Sequence, residues 1–183
     1  KALGLFLGAP AQDLVFVDNA TTGISTILSN LDLIAGDRIL VTDHGYNACS
    51  NAARYFTKRA SAEIDLINLS FPGSDTNEFI ERILGACTSR TRLLLIDHIT
   101  SPTALIMPLE EIVPAVQQRG IQVLVDGAHA PGMLPLRLAE LGADYYTGNC
   151  HKWMCAPKGT AFLYVRPEHQ SKLHPLTISH GMN

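Results

Sequence analysis

Charge is scarce in this sequence: Asp, Glu, Lys and Arg make up 17% of its 183 residues, where globular chains average about 25%. With 46% of residues hydrophobic, apolar material for a buried core is ample, and a disordered chain is excluded. The 14 basic and 17 acidic residues are scattered singly and sum to -3. They form no basic stripe to neutralise phosphates along a duplex, so nucleic acid is not an expected partner. Long apolar runs are missing too: stretches such as Leu93 to Ile96 fall far short of the roughly 18 residues needed to cross a bilayer. The four cysteines, Cys49, Cys87, Cys150 and Cys155, form no CxxC pair and no regular framework. They read as reduced thiols, which makes the cytoplasm the expected compartment. There is no internal repeat, low-complexity tract or linker, and at about 100 to 200 residues per domain the length points to one domain.

The opening KALGLFLGAPAQ imitates a signal peptide, but its apolar core is barely long enough and no Met precedes it. It reads instead as a helix leading into a strand. A start without Met and an end in TISHGMN suggest a piece of a longer protein.

What is present is a regular exchange of short apolar runs with amphipathic stretches. Expected strands are Leu14–Val17, Arg38–Val41, Ile64–Leu69, Leu93–Asp97, Val123–Asp126, the Tyr145–Tyr146 run and Ala161–Val165. Between them, Ile24, Ile27, Leu28 and Leu31 recur at helical spacing, as do Cys49, Ala52, Ala53 and Phe56, then Phe79, Ile80, Ile83 and Leu84, then Leu109, Ile112, Val113 and Val116. Asp75 with Glu78 has the capping-box pattern, and Pro135 is placed to start a short helix. Near-continuous apolar strands suit a sheet covered by helices on both faces. Only a dozen or so residues separate Tyr146 from Ala161, a marginal length for a parallel crossover, so the last strand is expected to run antiparallel.

In such sheets ligands sit beyond the carboxyl ends of the strands. The residues collected there are Asn19, Ala20 and Thr21; Asp43 and His44; His98 to Ser101; Asp126 and His129; and Asn149, His151 and Lys152. A carboxylate at the end of Val123–Val125 suffers a desolvation penalty unless a protonated heterocyclic nitrogen, a metal ion or an Arg pairs with it. Lys152, beside Trp153, Met154 and Cys155, is set to lose its proton and act as an amine nucleophile. The NATT segment opens a helix at its positive end and suits a phosphate. Neither GxGxxG nor GxxxxGKS/T occurs, so dinucleotide and P-loop sites lose their main support. A phosphate cradle, a carboxylate for a pyridinium nitrogen and a lysine for an imine are the attachments that pyridoxal phosphate requires.

The segments VFVDNATTG (15–23), TDHGYNA (42–48), DHITSPTALIMPL (97–109), VLVDGAHAPG (123–132) and YTGNCHKWMCAPKGTAFLYV (146–165) resemble the class V aminotransferase family of pyridoxal-phosphate enzymes. Within it the chain is similar to the isopenicillin N epimerase-like branch, related to cysteine desulfurases. The resemblance implies an α/β fold: a mostly parallel seven-stranded sheet with helices on both faces and one antiparallel strand. It implies that residues 1–183 are part of the cofactor-binding large domain, without the N-terminal arm and C-terminal small domain. Residue by residue, Lys152 would bond the cofactor covalently, Asp126 would pair with its ring nitrogen and His129 would hydrogen-bond the ring oxygen. Thr21 and the Ala20 backbone would bind phosphate, joined by Asn149, where relatives often have Ser, and by His151. His44 or Tyr46 would stack on the ring. Ser101 stands near the ring oxygen where relatives often carry Asn, which weakens a desulfurase assignment.

The implied activity is chemistry at the α-carbon of an amino acid or its derivative, by a homodimer in the full-length protein. Lys152 would take the proton, and Tyr46 or His44 is a candidate second acid for epimerisation. Alternatives are a cysteine desulfurase or C–S lyase; a hydrolase with a metal on Asp126, His129 and His151; and a non-catalytic fragment.

Overall fold

A computed structural model of the chain describes residues 1–69, 71 and 76–180. Among them seven strands form one sheet: β1 (Leu14–Val17), β2 (Arg38–Thr42), β3 (Glu63–Ile67), β4 (Thr91–Asp97), β5 (Gln122–Asp126), β6 (Tyr145–Asn149) and β7 (Ala161–Val165). Their order is β1-β7-β6-β5-β4-β2-β3. β7 runs antiparallel to both β1 and β6, and every other pair is parallel, as its short connection requires. The link closes on itself where the Cys150 and His151 N–H groups both donate to the Thr160 carbonyl, at 3.0 and 3.2 Å.

The helices are α1 (Ala2–Leu7), α2 (Ala20–Ser29), α3 (Asn47–Arg59), α4 (Thr76–Ala86), α5 (Leu109–Gln117), α6 (Leu138–Leu141) and α7 (Pro167–Gln170). Side chains alternate across a strand, and this alternation divides the core in two. Leu93, Leu95, Leu124, Tyr145 and Leu163 pack with Ile24, Ile27 and Leu28 of α2 and Ala53 of α3. Leu94, Ile96, Val123, Val125, Tyr146 and Phe162 pack with Phe79 and Ile83 of α4 and Ile112, Val113 and Val116 of α5. Each such aliphatic, fully buried, contributes about 1.5–3 kcal/mol. The same phase carries on to the strand ends: Asp97 follows Leu95, and Asp126 follows Leu124, onto the α2/α3 side.

Three local expectations change. The third strand ends at Ile67 rather than Leu69, because the chain turns to meet Asp43: its N–H donates to the Ile67 carbonyl at 3.0 Å, and its Oδ1 accepts from the Leu69 N–H at 3.0 Å. The short helix starts at Leu138, not Pro135, where the Ala139 N–H is drawn to the Gly8 carbonyl at 3.1 Å. Asp75 of the expected capping box lies outside the described residues. Its companion Glu78 sits in the first turn of α4 and pairs with Arg82.

Candidate active site

The chain reverses its direction of travel across the sheet between β2 and β4, the kind of place where a crevice opens at the carboxyl edge. Asp97 and Asp126 are register partners there, 4% and 3% exposed. Asp126 Oδ1 accepts the Ala128 N–H at 3.0 Å, which tightens the turn after β5, and Oδ2 accepts the Cys49 thiol of α3 at 3.0 Å. Burial, followed by repulsion from Asp126, pushes the Asp97 carboxyl up to about 8, against the pull of the Ser101 and Tyr46 main chain and the Lys152 charge. Two adjacent carboxylates cannot both stay ionised cheaply, so the pair keeps a proton on Asp97. Burial, then the Asp126 charge, raises the Cys49 thiol far above its ordinary value, so it remains a donor.

Lys152 lies in the loop after β6, with its Nζ 2.9 Å from His129 Nε2 and 6.0 Å from the centroid of the Tyr46 ring. Burial lowers its pKa, while Asp126, Cys49 and Asp97 pull the other way. His129 is lowered by burial, then by the Lys152 charge, with Asp126 opposing. Its Nδ1 accepts the Trp153 indole N–H at 3.2 Å. The loops meet because Gly132, at φ 89°, presses its backbone on the Trp153 main chain: a Cβ there would sit 2.7 Å from the Trp153 carbonyl. Gly132→Ala is expected to destabilise the protein by about 3 kcal/mol through backbone strain and overpacking, measured as a lower urea midpoint.

The end of α2 closes the site. Asn19 caps the helix, its Oδ1 accepting the Thr22 N–H at 2.8 Å, and Asn149 Oδ1 accepts the Ala20 N–H at 2.9 Å. Thr21 reaches Cys49 with its side chain. Thus the helix end, the thiol and Asp126 are contiguous.

Of the expected residues, the structure brings Lys152, His129, Asp126 and Tyr46 together, with Ala20, Thr21 and Asn149 beside them. Ala20 and Asn149 are bonded to each other. His151 Nδ1 donates to the Thr160 carbonyl at 2.9 Å, which fixes its ring in the same loop. Ser101 is exposed and meets the cluster through its main chain toward Asp97. His44 is not brought to Lys152: its Nδ1 lies 2.8 Å from the Thr103 hydroxyl and its Nε2 3.3 Å from the Leu69 carbonyl. His98 is likewise drawn under the sheet, with its Nδ1 2.8 Å from the Tyr146 hydroxyl. Nor do Asp126, His129 and His151 make a metal centre: among the described residues no three His, Cys, Asp or Glu side chains are grouped to hold an ion.

Three contributors escaped the sequence. Asp97 had a signal, since LLLID ends as VLVD does. Cys49 read only as a core-facing residue, and Trp153 only as apolar surroundings for Lys152.

A largely parallel seven-stranded sheet, with an amine, a buried carboxylate and a helix N-terminus gathered at its carboxyl edge, defines a ligand-binding α/β domain of the doubly wound class. The chain belongs to the aminotransferase class-V family, whose model matches residues 1–183. It is 34% identical over 179 residues to the isopenicillin N epimerase of Streptomyces clavuligerus, covering 98% of this chain and 45% of that one. It is 31% identical over 193 residues to the putative L-cysteine desulfhydrase 1 of Oryza sativa subsp. japonica, covering 97% and 40%. Among solved structures it is similar to a C-DES mutant with glycine covalently linked to its PLP cofactor, at TM-score 0.90 and 26% identity, covering 97% of this chain and 47% of that one. The chain spans less than half the length of each of these proteins.

Proposed function

We propose that this chain is the cofactor-bearing part of a pyridoxal-phosphate enzyme acting at the α-carbon of an amino acid or amino-acid derivative. The observation that carries this is the half-buried Lys152 amine held among His129, Tyr46 and the buried Asp126 carboxylate. The donor set fits the group. Two oxygens of Asp126 offer about four lone-pair sites, of which Cys49 and Ala128 take two, leaving room for a ring N–H. The positive end of α2 with Thr21, and His151 in the facing loop, supply anion contacts.

When bound, the cofactor supplies a sink for the electron pair left at Cα when its proton departs. The chain's own residues do the rest. Asp126 holds the ring nitrogen's proton by charge pairing, and Asp97, keeping its own proton, adds no second negative charge. His129 would donate to the ring oxygen, and Tyr46 would cover a ring face. Lys152 would hold the cofactor covalently, and its amine would be the group that takes up and returns the Cα proton. Epimerisation or racemisation needs an acid on the opposite side of Cα; the Tyr46 ring, 6.0 Å from the Lys152 amine, supports Tyr46 for this role over His44, whose ring nitrogens lie against Thr103 and Leu69. The rice relative is named putative L-cysteine desulfhydrase 1; elimination of a sulfur group from Cβ would use the same residues with a different leaving group. Among the described residues, no helix is long and apolar enough to cross a membrane. With its four cysteines free, we place the protein in the cytoplasm, as a homodimer in its full-length form.

The test is capture of the cofactor. After incubation with pyridoxal phosphate and reduction with borohydride, peptide mapping is expected to put the phosphopyridoxyl group on Lys152, with none in that peptide of Lys152→Ala. Label spread evenly over exposed lysines such as Lys158 would reject the assignment.

A further inference from the structure

We propose that Trp153 is a positioning residue: its indole N–H, held on His129 Nδ1, biases the imidazole to the tautomer whose Nε2–H faces the Lys152 amine, and so shifts the lysine toward its free base. The inference deepens the function proposed above, and rests on it only for the use to which that amine is put.

The donor inventory enforces it. An indole nitrogen donates and never accepts, and a neutral imidazole has one donor nitrogen and one acceptor. Trp153 Nε1 lies 3.2 Å from His129 Nδ1, and Lys152 Nζ lies 2.9 Å from His129 Nε2. With Nδ1 accepting from the indole, the ring proton sits on Nε2. That N–H then bonds Nζ only if the amine keeps its lone pair. A lysine ammonium has donors alone and would face another N–H, and an imidazolium would oppose the indole N–H; each loses one of the two bonds. The uncharged pair makes both.

The surroundings bear on this balance from every side. Asp126 of β5, Asp97 of β4 and Cys49 of α3 favour the ammonium, and burial opposes them. The Tyr46 ring at the start of α3 lies 6.0 Å from Nζ. Burial favours the neutral His129 imidazole, against the pull of the Asp126 charge. The close backbone contact of Gly132 with Trp153 holds the indole to the turn that carries His129. With a cofactor bound, the same Nε2–H would be available to its ring oxygen.

The experiment uses cofactor-free protein labelled with [15N]histidine, with His129 assigned through His129→Gln. Two-bond 1H–15N spectra are expected to show the Nε2–H tautomer at His129. Trp153→Phe keeps a ring and removes the donor. It is expected to admit the Nδ1–H tautomer and to slow acetylation of Lys152 by acetic anhydride at pH 7.5 about fivefold, the equivalent of one neutral hydrogen bond, relative to exposed Lys158. In a His129→Gln background, Trp153→Phe is expected to change that rate no further. An Nδ1–H tautomer in the parent protein, an unchanged tautomer and rate in Trp153→Phe, or the same slowing without His129 would each overturn the proposal. Cofactor capture is read separately: if it fails at Lys152 while the tautomer result stands, the function proposed above is wrong and the role of Trp153 is not.

Discussion

Lys152→Ala is expected to slow exchange of the α-proton of amino acids with deuterated solvent by about 10,000-fold, the upper range for a positioned acid or base. Under the proposed function the change removes both the covalent hold on the cofactor and the group that moves the proton, so the loss is expected in turnover and not only in binding. A panel of amino acids incubated with the cofactor-bound protein and read by NMR or mass spectrometry covers the candidate reactions. Exchange with inversion at the α-carbon marks epimerisation, exchange with retention marks proton abstraction alone, and release of sulfide from cysteine marks elimination. Lys158→Ala, on the exposed part of the same loop, is expected to keep the full rate. If Lys152→Ala stayed within tenfold of the parent, the amine would have no part in the chemistry.

The largest effect on stability is expected from pH acting on Asp97. Its carboxyl titrates at 3.8 when free and is pushed up to about 8 in the folded chain by burial and by Asp126. The folded state therefore binds the proton more tightly than the unfolded state. The stability this contributes is present in full below about pH 4 and is lost as pH rises toward 8, at about 1.4 kcal/mol for each tenfold difference in proton affinity between the two states. Asp97→Asn keeps a polar amide in the same place and removes the titration. Urea unfolding at pH 5 and pH 8 is expected to show the parent weaker at pH 8 and the variant nearly level, with the variant the more stable of the two at pH 8. Equal slopes in both proteins would show that Asp97 does not carry the pair's proton.

Much of this was legible in the chain itself. Leu14–Val17 and Ala161–Val165 match their observed strands to the residue, because compact apolar runs bounded by turn residues leave little freedom of assignment. The antiparallel turn of β7 followed from connection length alone. Asp126 and Lys152 were legible because each places a chargeable group beside an apolar run, where only a partner or a ligand offsets the lost hydration. His44 against Tyr46 was not: both follow β2, and sequence spacing does not say that Leu69 and Thr103 will take the imidazole. Pro135 failed as a helix start because a contact with Gly8, from the far end of the chain, decides where the turn begins.

The sequence by itself determined the alternation of strand and helix, the direction of the last strand and the chemical kinds gathered at one edge, since these depend on local pattern and chain length. Only the tertiary structure decided how those groups divide their protons. Asp97 beside Asp126, Cys49 on the same carboxylate across 77 positions and Trp153 on His129 are contacts between distant segments. Charge states follow from distance and burial, which no segment carries on its own.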